Sequence, residues 1–79
     1  MNNSEKVLKK QSLEQTINDC KLQHKQYQKL DLLYDELDDH ILNGRYMEYD
    51  RTFKKVTELN KEITDTENRC RSRLGLKKL

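Results

Sequence analysis

The fold of this chain is decided by the stretch Ile41-Leu42-Asn43-Gly44-Arg45-Tyr46, which separates two long runs of helix-forming residues. Gly44 is the only glycine among the first 74 residues, and the chain contains no proline. A glycine just past the last turn of a helix takes the left-handed conformation without a Cβ penalty, and Asn before Gly is a common helix stop. The stretch therefore predicts a tight bend between two helical arms.

The two arms are predicted to be similar in length. The first helix is expected over 12–42, starting at a capping box in Ser12-Leu13-Glu14-Gln15, although Ser4 is an alternative start. A turn at 43–46, a second helix over 47–74 and a basic tail at 75–79 follow. Since the helices would be about 46 Å and about 42 Å long at ~1.5 Å per residue, they can close into an all-α, two-helix antiparallel hairpin that resembles a coiled coil.

Both arms carry residues at heptad spacing, which is typical of a coiled-coil seam. In the first arm two sets of positions recur every seven residues: Leu13, Cys20, Tyr27, Tyr34 and Ile41, and Thr16, Gln23, Leu30 and Leu37. In the second arm Tyr49, Val56, Ile63 and Cys70 again recur every seven residues, and Phe53, Leu59, Thr66 and Leu74 fill the same face. The apolar residues are concentrated near the bend, so the packing is expected to tighten toward Gly44.

The register follows from folding the chain about position 45, so that the numbers of facing residues sum to 90. This places five pairs of predicted seam residues opposite each other: Ile41 and Tyr49, Leu37 and Phe53, Tyr34 and Val56, Tyr27 and Ile63, Cys20 and Cys70. It also predicts four ion pairs between the arms: Asp39 with Arg51, Glu36 with Lys54, Asp35 with Lys55, and Lys25 with Asp65. Exposed pairs of this kind choose a register rather than add much stability.

The composition indicates that this hairpin needs a further partner. Only 33% of the 79 residues are hydrophobic, whereas 38% are charged, so a two-helix hairpin alone is marginally stable. We expect it to be completed by self-association into a four-helix bundle or by another protein. A disordered isolated chain is the alternative. The predicted partner-binding residues are Tyr27, Leu30, Leu33, Tyr34, Leu37, Phe53, Val56, Leu59 and Ile63.

The sequence shows neither an N-terminal signal nor an apolar run long enough to span a membrane. We therefore expect a cytoplasmic protein with no membrane partner. Two cysteines in such a protein are expected to be free thiols in a reducing compartment, and a disulfide between Cys20 and Cys70 is the alternative.

No catalytic signature is present, so we expect no enzymatic activity and no cofactor. His24 lies one helical turn after Cys20. Together with Cys70 these residues supply three soft ligands, whereas a structural zinc site needs four, so no metal site is expected. The acidic run from Asp31 to Asp39 is better explained by pairing with cations of the second arm than by metal binding.

The open end of the hairpin is predicted to be basic. Five cations near the C-terminus form a candidate nucleic-acid-binding cluster: Arg69, Arg71, Arg73, Lys77 and Lys78. RNA, DNA or an acidic protein could bind there, but the aromatic residues lie elsewhere and the net charge is only +2, so nucleic acid is the less favoured partner.

One stretch of the chain resembles a known pattern. It consists of Leu37-Asp38-Asp39-His40-Ile41-Leu42-Asn43-Gly44-Arg45-Tyr46-Met47-Glu48-Tyr49, followed by Val56, Leu59 and Ile63. A helix, a glycine turn, Glu-Tyr and a second helix occur in the small needle-subunit co-chaperones of type III secretion, the YscE, PscE and EscE group. The resemblance covers about thirty residues. It implies a small hairpin that, with a second chaperone, keeps an aggregation-prone needle subunit soluble. It also implies that Tyr34, Leu37, Phe53 and Val56 pack within the hairpin or against the partner.

The function expected from the sequence is that of a non-enzymatic protein–protein interaction module. In one form it is a co-chaperone component that binds a partner helix through the apolar seam. The alternatives are a homodimeric four-helix bundle that binds RNA through basic faces, and a structural subunit of a larger coiled-coil complex.

Overall fold

A computed structural model of the chain describes the backbone of residues 3–79 and the side chains of residues 10–79. It contains two α-helices, α1 over Asn3–Leu42 and α2 over Tyr46–Arg73, which pack against each other and give a molecule 63 × 20 × 13 Å in extent. The predicted all-α helical hairpin is confirmed. Within residues 3–79, neither helix has a segment both long and apolar enough to cross a membrane.

α1 begins at Asn3 rather than at Ser12. The segment before Ser12 contains neither glycine nor proline, so nothing in it stops the helix from continuing toward the N-terminus. Ser12 consequently lies inside α1, where its carbonyl oxygen accepts a hydrogen bond from the Thr16 hydroxyl at 2.9 Å. The predicted capping box is therefore not the start of the helix.

The bend at Gly44 is a Schellman motif. Gly44 has φ +70°, its amide donates to the Ile41 carbonyl at 3.3 Å, and the Arg45 amide donates to the His40 carbonyl at 2.8 Å. These two bonds satisfy carbonyls that the end of α1 would otherwise leave unpaired. The Arg45 guanidinium also bonds the Asp39 carboxylate and His40 Nδ1, so the bend is held by side chains as well as backbone.

The C-terminus of α2 repeats this motif at Gly75. Gly75 has φ +76°, its amide donates to the Ser72 carbonyl at 3.1 Å, and the Leu76 amide donates to the Arg71 carbonyl at 2.7 Å. The tail then folds back along α2, because the Leu79 amide donates to Asn68 Oδ1 at 2.7 Å. Both glycines therefore end helices, as the sequence predicts.

The core is an aliphatic cluster in the half of the hairpin nearer the bend. Its six buried members are Leu30, Leu33, Leu37, Val56, Leu59 and Ile63. Tyr49 is partly buried and packs against this cluster, and its ring stacks on the ring of Phe53 with centroids 6.2 Å apart. The packing is therefore tightest toward Gly44, as the sequence predicts.

The predicted axial register holds, but the predicted rotation of α1 is wrong. The residue numbers of polar pairs across the helices sum to between 88 and 92, close to the predicted 90. We use "seam" for the residues that line the contact between the helices. In α1 the seam consists of Ser12, Thr16, Asp19, Gln23, Gln26, Leu30, Leu33, Leu37 and His40. In α2 it consists of Tyr49, Thr52, Val56, Leu59, Ile63, Thr66, Cys70 and Arg73.

One half of the predicted α1 seam is thus displaced by one position. Tyr27 and Tyr34 were expected in the seam, but they are exposed, and Gln26 and Leu33 lie there instead. The reason is that this rotation groups three leucines against the aliphatic residues of α2, whereas the predicted one would bury two phenolic hydroxyls that need partners. In α2, Phe53 and Leu74 likewise give way to Thr52 and Arg73 in the seam.

The four predicted ion pairs between the arms are absent among the described side chains. Asp39 pairs with Arg45 within the bend, and Lys54 pairs with Asp50 on its own helix at 3.3 Å. The ion pairs between α1 and α2 lie instead at the open end, where both Arg69 and Arg73 approach Asp19.

Replacement of Gly44 by alanine should destabilise the whole hairpin by about 1 kcal/mol, because an L-residue is strained at positive φ. No atom lies within 4 Å of the position that a Cβ would occupy, so backbone strain is the only cost. Thermal unfolding followed by circular dichroism measures the effect. The matched control is Gly75→Ala, which has the same backbone conformation but precedes only the short tail. Equal melting temperatures for the two variants would contradict this interpretation of the bend.

Candidate protein-binding surface

Five positions displaced from the predicted seam, together with Ile17, form an exposed apolar row along α1. We call this row the apolar stripe and define it as Leu13, Ile17, Cys20, Tyr27, Tyr34 and Ile41. About half of each large side chain is exposed in the part of the stripe nearer the bend: 52% for Tyr27, 46% for Tyr34 and 46% for Ile41. Regularly spaced apolar residues on one side of a helix are typical of a surface that packs against another helix.

The two flanks of the hairpin differ in chemistry. Lys29, Lys55 and Glu62 each directly precede a seam residue, and they line one shared depression on one flank. Tyr34 and Phe53 each directly follow a seam residue, so helix geometry places them on the opposite flank. We call the first the charged flank, and the second, which carries the apolar stripe and Phe53, the apolar flank.

Near the bend, the apolar flank includes residues from both helices. Phe53 is 49% exposed. The residue numbers of Phe53 and Tyr34 sum to 87, which is close to the sums of pairs that face each other across the helices, so the two side chains lie at nearly the same height along the hairpin. Ile41 and Tyr46 form a second such pair closer to the bend. Because the Phe53 ring stacks on Tyr49, which itself packs on the core, this part of the flank rests on rigid structure.

Farther from the bend, the stripe borders a shallow depression on α1 itself. Ile17, Cys20 and His24 lie in its lining, together with Thr16, Lys21, Lys25 and Gln28. The depression is open to solvent and the lysines in its lining are exposed, so it can accept an aliphatic side chain from another helix.

The nine residues predicted to bind a partner fall into two groups in the structure. Six of them form the aliphatic core between the helices: Leu30, Leu33, Leu37, Val56, Leu59 and Ile63. The other three, Tyr27, Tyr34 and Phe53, are exposed on the apolar flank. The signal for this division was present in the sequence, because α1 carries two heptad rows offset by a single residue and only one can face α2.

The seam becomes polar toward the open end of the hairpin. Asp19 lies there with only 14% of its side chain exposed, and its Oδ2 accepts a charge-assisted hydrogen bond from Arg73 Nη1 at 2.9 Å. Arg73 Nη1 also donates to the Thr16 hydroxyl at 3.2 Å, and Arg69 Nη2 lies 3.8 Å from Asp19 Oδ1. This cluster links the two helices where the aliphatic core is absent.

Two glutamines connect the polar end of the seam to the core. Gln23 Nε2 donates to Glu67 Oε2 at 2.7 Å, and Gln26 Nε2 donates to the Thr66 hydroxyl at 3.3 Å. Gln26 Oε1 is buried and has no hydrogen-bond partner among the described residues. A buried acceptor without a partner is destabilising, so Gln26 is a weak point at the edge of the core.

The predicted nucleic-acid-binding cluster is largely engaged in contacts within the chain. Arg69 and Arg73 approach Asp19, and Arg71 lies 3.7 Å from Glu67 and donates to the Lys77 carbonyl at 2.6 Å. Of the five cations, Lys77 and Lys78 are the ones that form no ion pair with another side chain among residues 10–79. Nucleic-acid binding therefore stays a prediction from the sequence. Three of the five cations named for it already contact other groups of the chain.

The two cysteines are free thiols. Cys70 lies in the seam and is partly buried, whereas Cys20 belongs to the apolar stripe and is exposed, because the rotation of α1 turns it out of the seam. Among the described side chains, no group of three His, Cys, Asp or Glu residues is arranged to hold a metal ion. His24 lies beside Cys20 in the depression on α1.

Comparisons of the chain with protein-family models, curated proteins and solved structures return no match. The function is therefore inferred from the chain's own residues and their arrangement.

Substitution of Asp19 by asparagine should lower the free energy of unfolding by roughly 2 kcal/mol, because it leaves two arginines facing a neutral group in a partly buried place. Urea unfolding measures the change. Asp31→Asn is the matched control, since Asp31 is exposed and should tolerate the same change within about 0.5 kcal/mol. The double variant Asp19→Leu/Arg73→Leu should recover the lost stability, and an equal loss in both Asn variants would contradict the role of the cluster.

Replacement of Gln26 by leucine should stabilise the hairpin by about 1 kcal/mol, since it removes the unpartnered oxygen and extends the aliphatic core. Leucine and glutamine have similar helix propensities, so packing determines the sign. Gln28→Leu, at an exposed position of the same helix, is the control and should change little. A lower melting temperature for Gln26→Leu would show that the bond to Thr66 contributes more than the orphaned oxygen costs.

Proposed function

We propose that this chain is a non-enzymatic protein–protein interaction module whose apolar stripe binds a helix of another polypeptide. The observation that carries the proposal is the second heptad row on α1, which the hairpin leaves exposed although its own core uses the neighbouring row. A row of half-exposed tyrosine and isoleucine side chains at seven-residue spacing costs solubility unless another helix covers it.

The chemistry of the stripe suits a helix as the bound element. Tyr27 and Tyr34 combine a large apolar ring with a hydroxyl that can stay hydrogen-bonded at the edge of an interface, and tyrosine is enriched at binding hot spots. The charged flank, with Lys29, Lys55 and Glu62, offers no comparable surface. The apolar flank is therefore the side on which we place the partner.

The six aliphatic residues of the core have a supporting role in this proposal. They hold α1 and α2 together and fix the rotation that presents the stripe. A partner can therefore dock on the stripe without opening the hairpin, whereas binding through the seam would require the two helices to separate. Residues Tyr27, Tyr34 and Phe53 then make the contact, and Leu30, Leu33 and Leu37 keep them in place.

A co-chaperone role is the specific form that the resemblance to needle-subunit co-chaperones suggests. In that form the stripe covers the apolar side of an aggregation-prone helix before its assembly. A cytoplasmic location belongs to the same proposal, and the exposed free thiol of Cys20 is compatible with a reducing compartment.

Site-specific photo-crosslinking in cells of the native source tests the proposal. Benzoylphenylalanine in place of Tyr34 should form an adduct with one defined protein on irradiation, because the ring lies in the proposed interface. The same residue in place of Leu32, which is 65% exposed on another side of α1, should not. No adduct from position 34, or the same adducts from both positions, would contradict binding through the stripe.

Binding of the crosslinked protein, once purified, should depend on the stripe. The double variant Tyr27→Gln/Tyr34→Gln should weaken binding at least about tenfold, as expected for loss of two hot-spot rings, without altering the helical content. The matched control Leu22→Gln/Leu32→Gln removes two exposed leucines outside the stripe and should bind as the unsubstituted chain does. Isothermal titration calorimetry gives both affinities.

A further inference from the structure

The charges of α1 are segregated along its length. Lys21, Lys25 and Lys29 lie in a segment, 20–29, that contains no acidic residue, and Asp31, Asp35, Glu36, Asp38 and Asp39 lie in the next segment, 30–39, that contains no lysine or arginine. All eight side chains are exposed. The boundary between the two segments falls near the middle of the apolar stripe.

We infer that the partner of the apolar stripe is a second copy of this chain, with the two α1 helices packed antiparallel about a two-fold axis near Gln28. The inference rests on the proposed function, because it uses the same stripe, and it adds the identity and orientation of the partner. An antiparallel pair brings the basic segment of each copy beside the acidic segment of the other, whereas a parallel pair would place like charges together.

A single register satisfies both the charges and the apolar residues. With the axis between Gln28 and Lys29, Lys21 of one copy lies beside Asp35 of the other, and symmetry repeats this contact. In the same register Ile41 of one copy lies opposite Ile17 of the other, where it can enter the depression around Cys20 and His24. Interfaces of this isologous kind are the commonest in homodimers.

The polar members of the helix face are also accommodated. Tyr34 of one copy falls opposite His24 of the other, and Tyr27 falls opposite Asp31, so each phenolic hydroxyl meets a group able to accept its proton in a hydrogen bond. Polar pairs of this type within an otherwise apolar contact between two helices select one register over its neighbours. The register therefore does not depend on the lysine and aspartate contacts alone.

The size of the contact agrees with a reversible dimer. The helix from Leu13 to Leu42 is about 44 Å long at ~1.5 Å per residue and about 10–12 Å wide, so the two copies together contribute on the order of 900–1,000 Å². Specific interfaces begin near ~1,000 Å². Phe53 and Tyr46 lie on the same flank and add to the contact near the bend.

Sedimentation equilibrium of the full chain, from about 1 µM to about 500 µM, tests the inference. The expected result is a transition from one to two copies with concentration. Lys21→Glu and Asp35→Lys should each weaken dimerisation roughly tenfold, since each affects two symmetry-related contacts. An equimolar mixture of these two variants should associate about as well as the unsubstituted chain, because each supplies the charge that the other lacks.

Crosslinking with a short bis-maleimide tests the orientation. In the antiparallel pair the two Cys20 residues lie about 27 Å apart along the axis at ~1.5 Å per residue, so they should not link in a Cys70→Ser background. Gln28→Cys, with Cys20→Ser and Cys70→Ser, should link readily near the two-fold axis. Linkage between the Cys20 residues would indicate a parallel pair and overturn the inference.

A chain that stays monomeric at every concentration, or a dimer indifferent to Lys21→Glu and Asp35→Lys, would also overturn it. The proposed function is judged separately by the photo-crosslinks from position 34. An adduct with a different protein from a monomeric chain would retain the stripe as a binding surface and reject the second copy as its partner. Circular dichroism of each variant shows that a negative result does not come from unfolding.

Discussion

The contact between three leucines of α1 and three aliphatic residues of α2 sets the geometry of the whole molecule. Leu30, Leu33 and Leu37 can meet Val56, Leu59 and Ile63 only when α1 has one particular rotation about its axis. That rotation turns Tyr27 and Tyr34 outward. The exposed apolar stripe is therefore a direct result of core packing, because the same interaction that stabilises the hairpin leaves this row of side chains on its surface.

The polar end of the seam complements this core. Asp19, Gln23 and Gln26 provide little hydrophobic stabilisation, but their hydrogen bonds have strict geometric requirements. Leucine and isoleucine tolerate a sliding or rotation of one helix against the other more easily than a carboxylate held by two arginines does. The core supplies most of the cohesion, and the polar contacts reduce the number of arrangements in which the helices can pair.

The sequence predicts the hairpin, its bend and its axial register because these depend on local signals. Gly44 can take a positive φ, Gly75 repeats the signal, and the chain contains no proline. Rotation depends instead on which of two adjacent heptad rows is buried. Tyrosine counts as apolar in a pattern, yet its hydroxyl makes burial costly, and that difference decided the outcome against Tyr27 and Tyr34. Two of the predicted ion pairs are replaced by local ones, because Asp39 pairs with Arg45 within the bend and Lys54 with Asp50 of its own helix.

The uneven distribution of apolar residues along the seam also determines how the hairpin loosens. Between the bend and Leu30 the contact between the helices is mainly aliphatic, whereas beyond Gln26 it consists mainly of hydrogen bonds and ion pairs that water can replace. We therefore expect local opening of the hairpin to begin at the free ends of the helices and to proceed toward the bend at Gly44. Backbone amides near Cys70 are then exposed to solvent more often than those near Val56, although both belong to the same continuous helix.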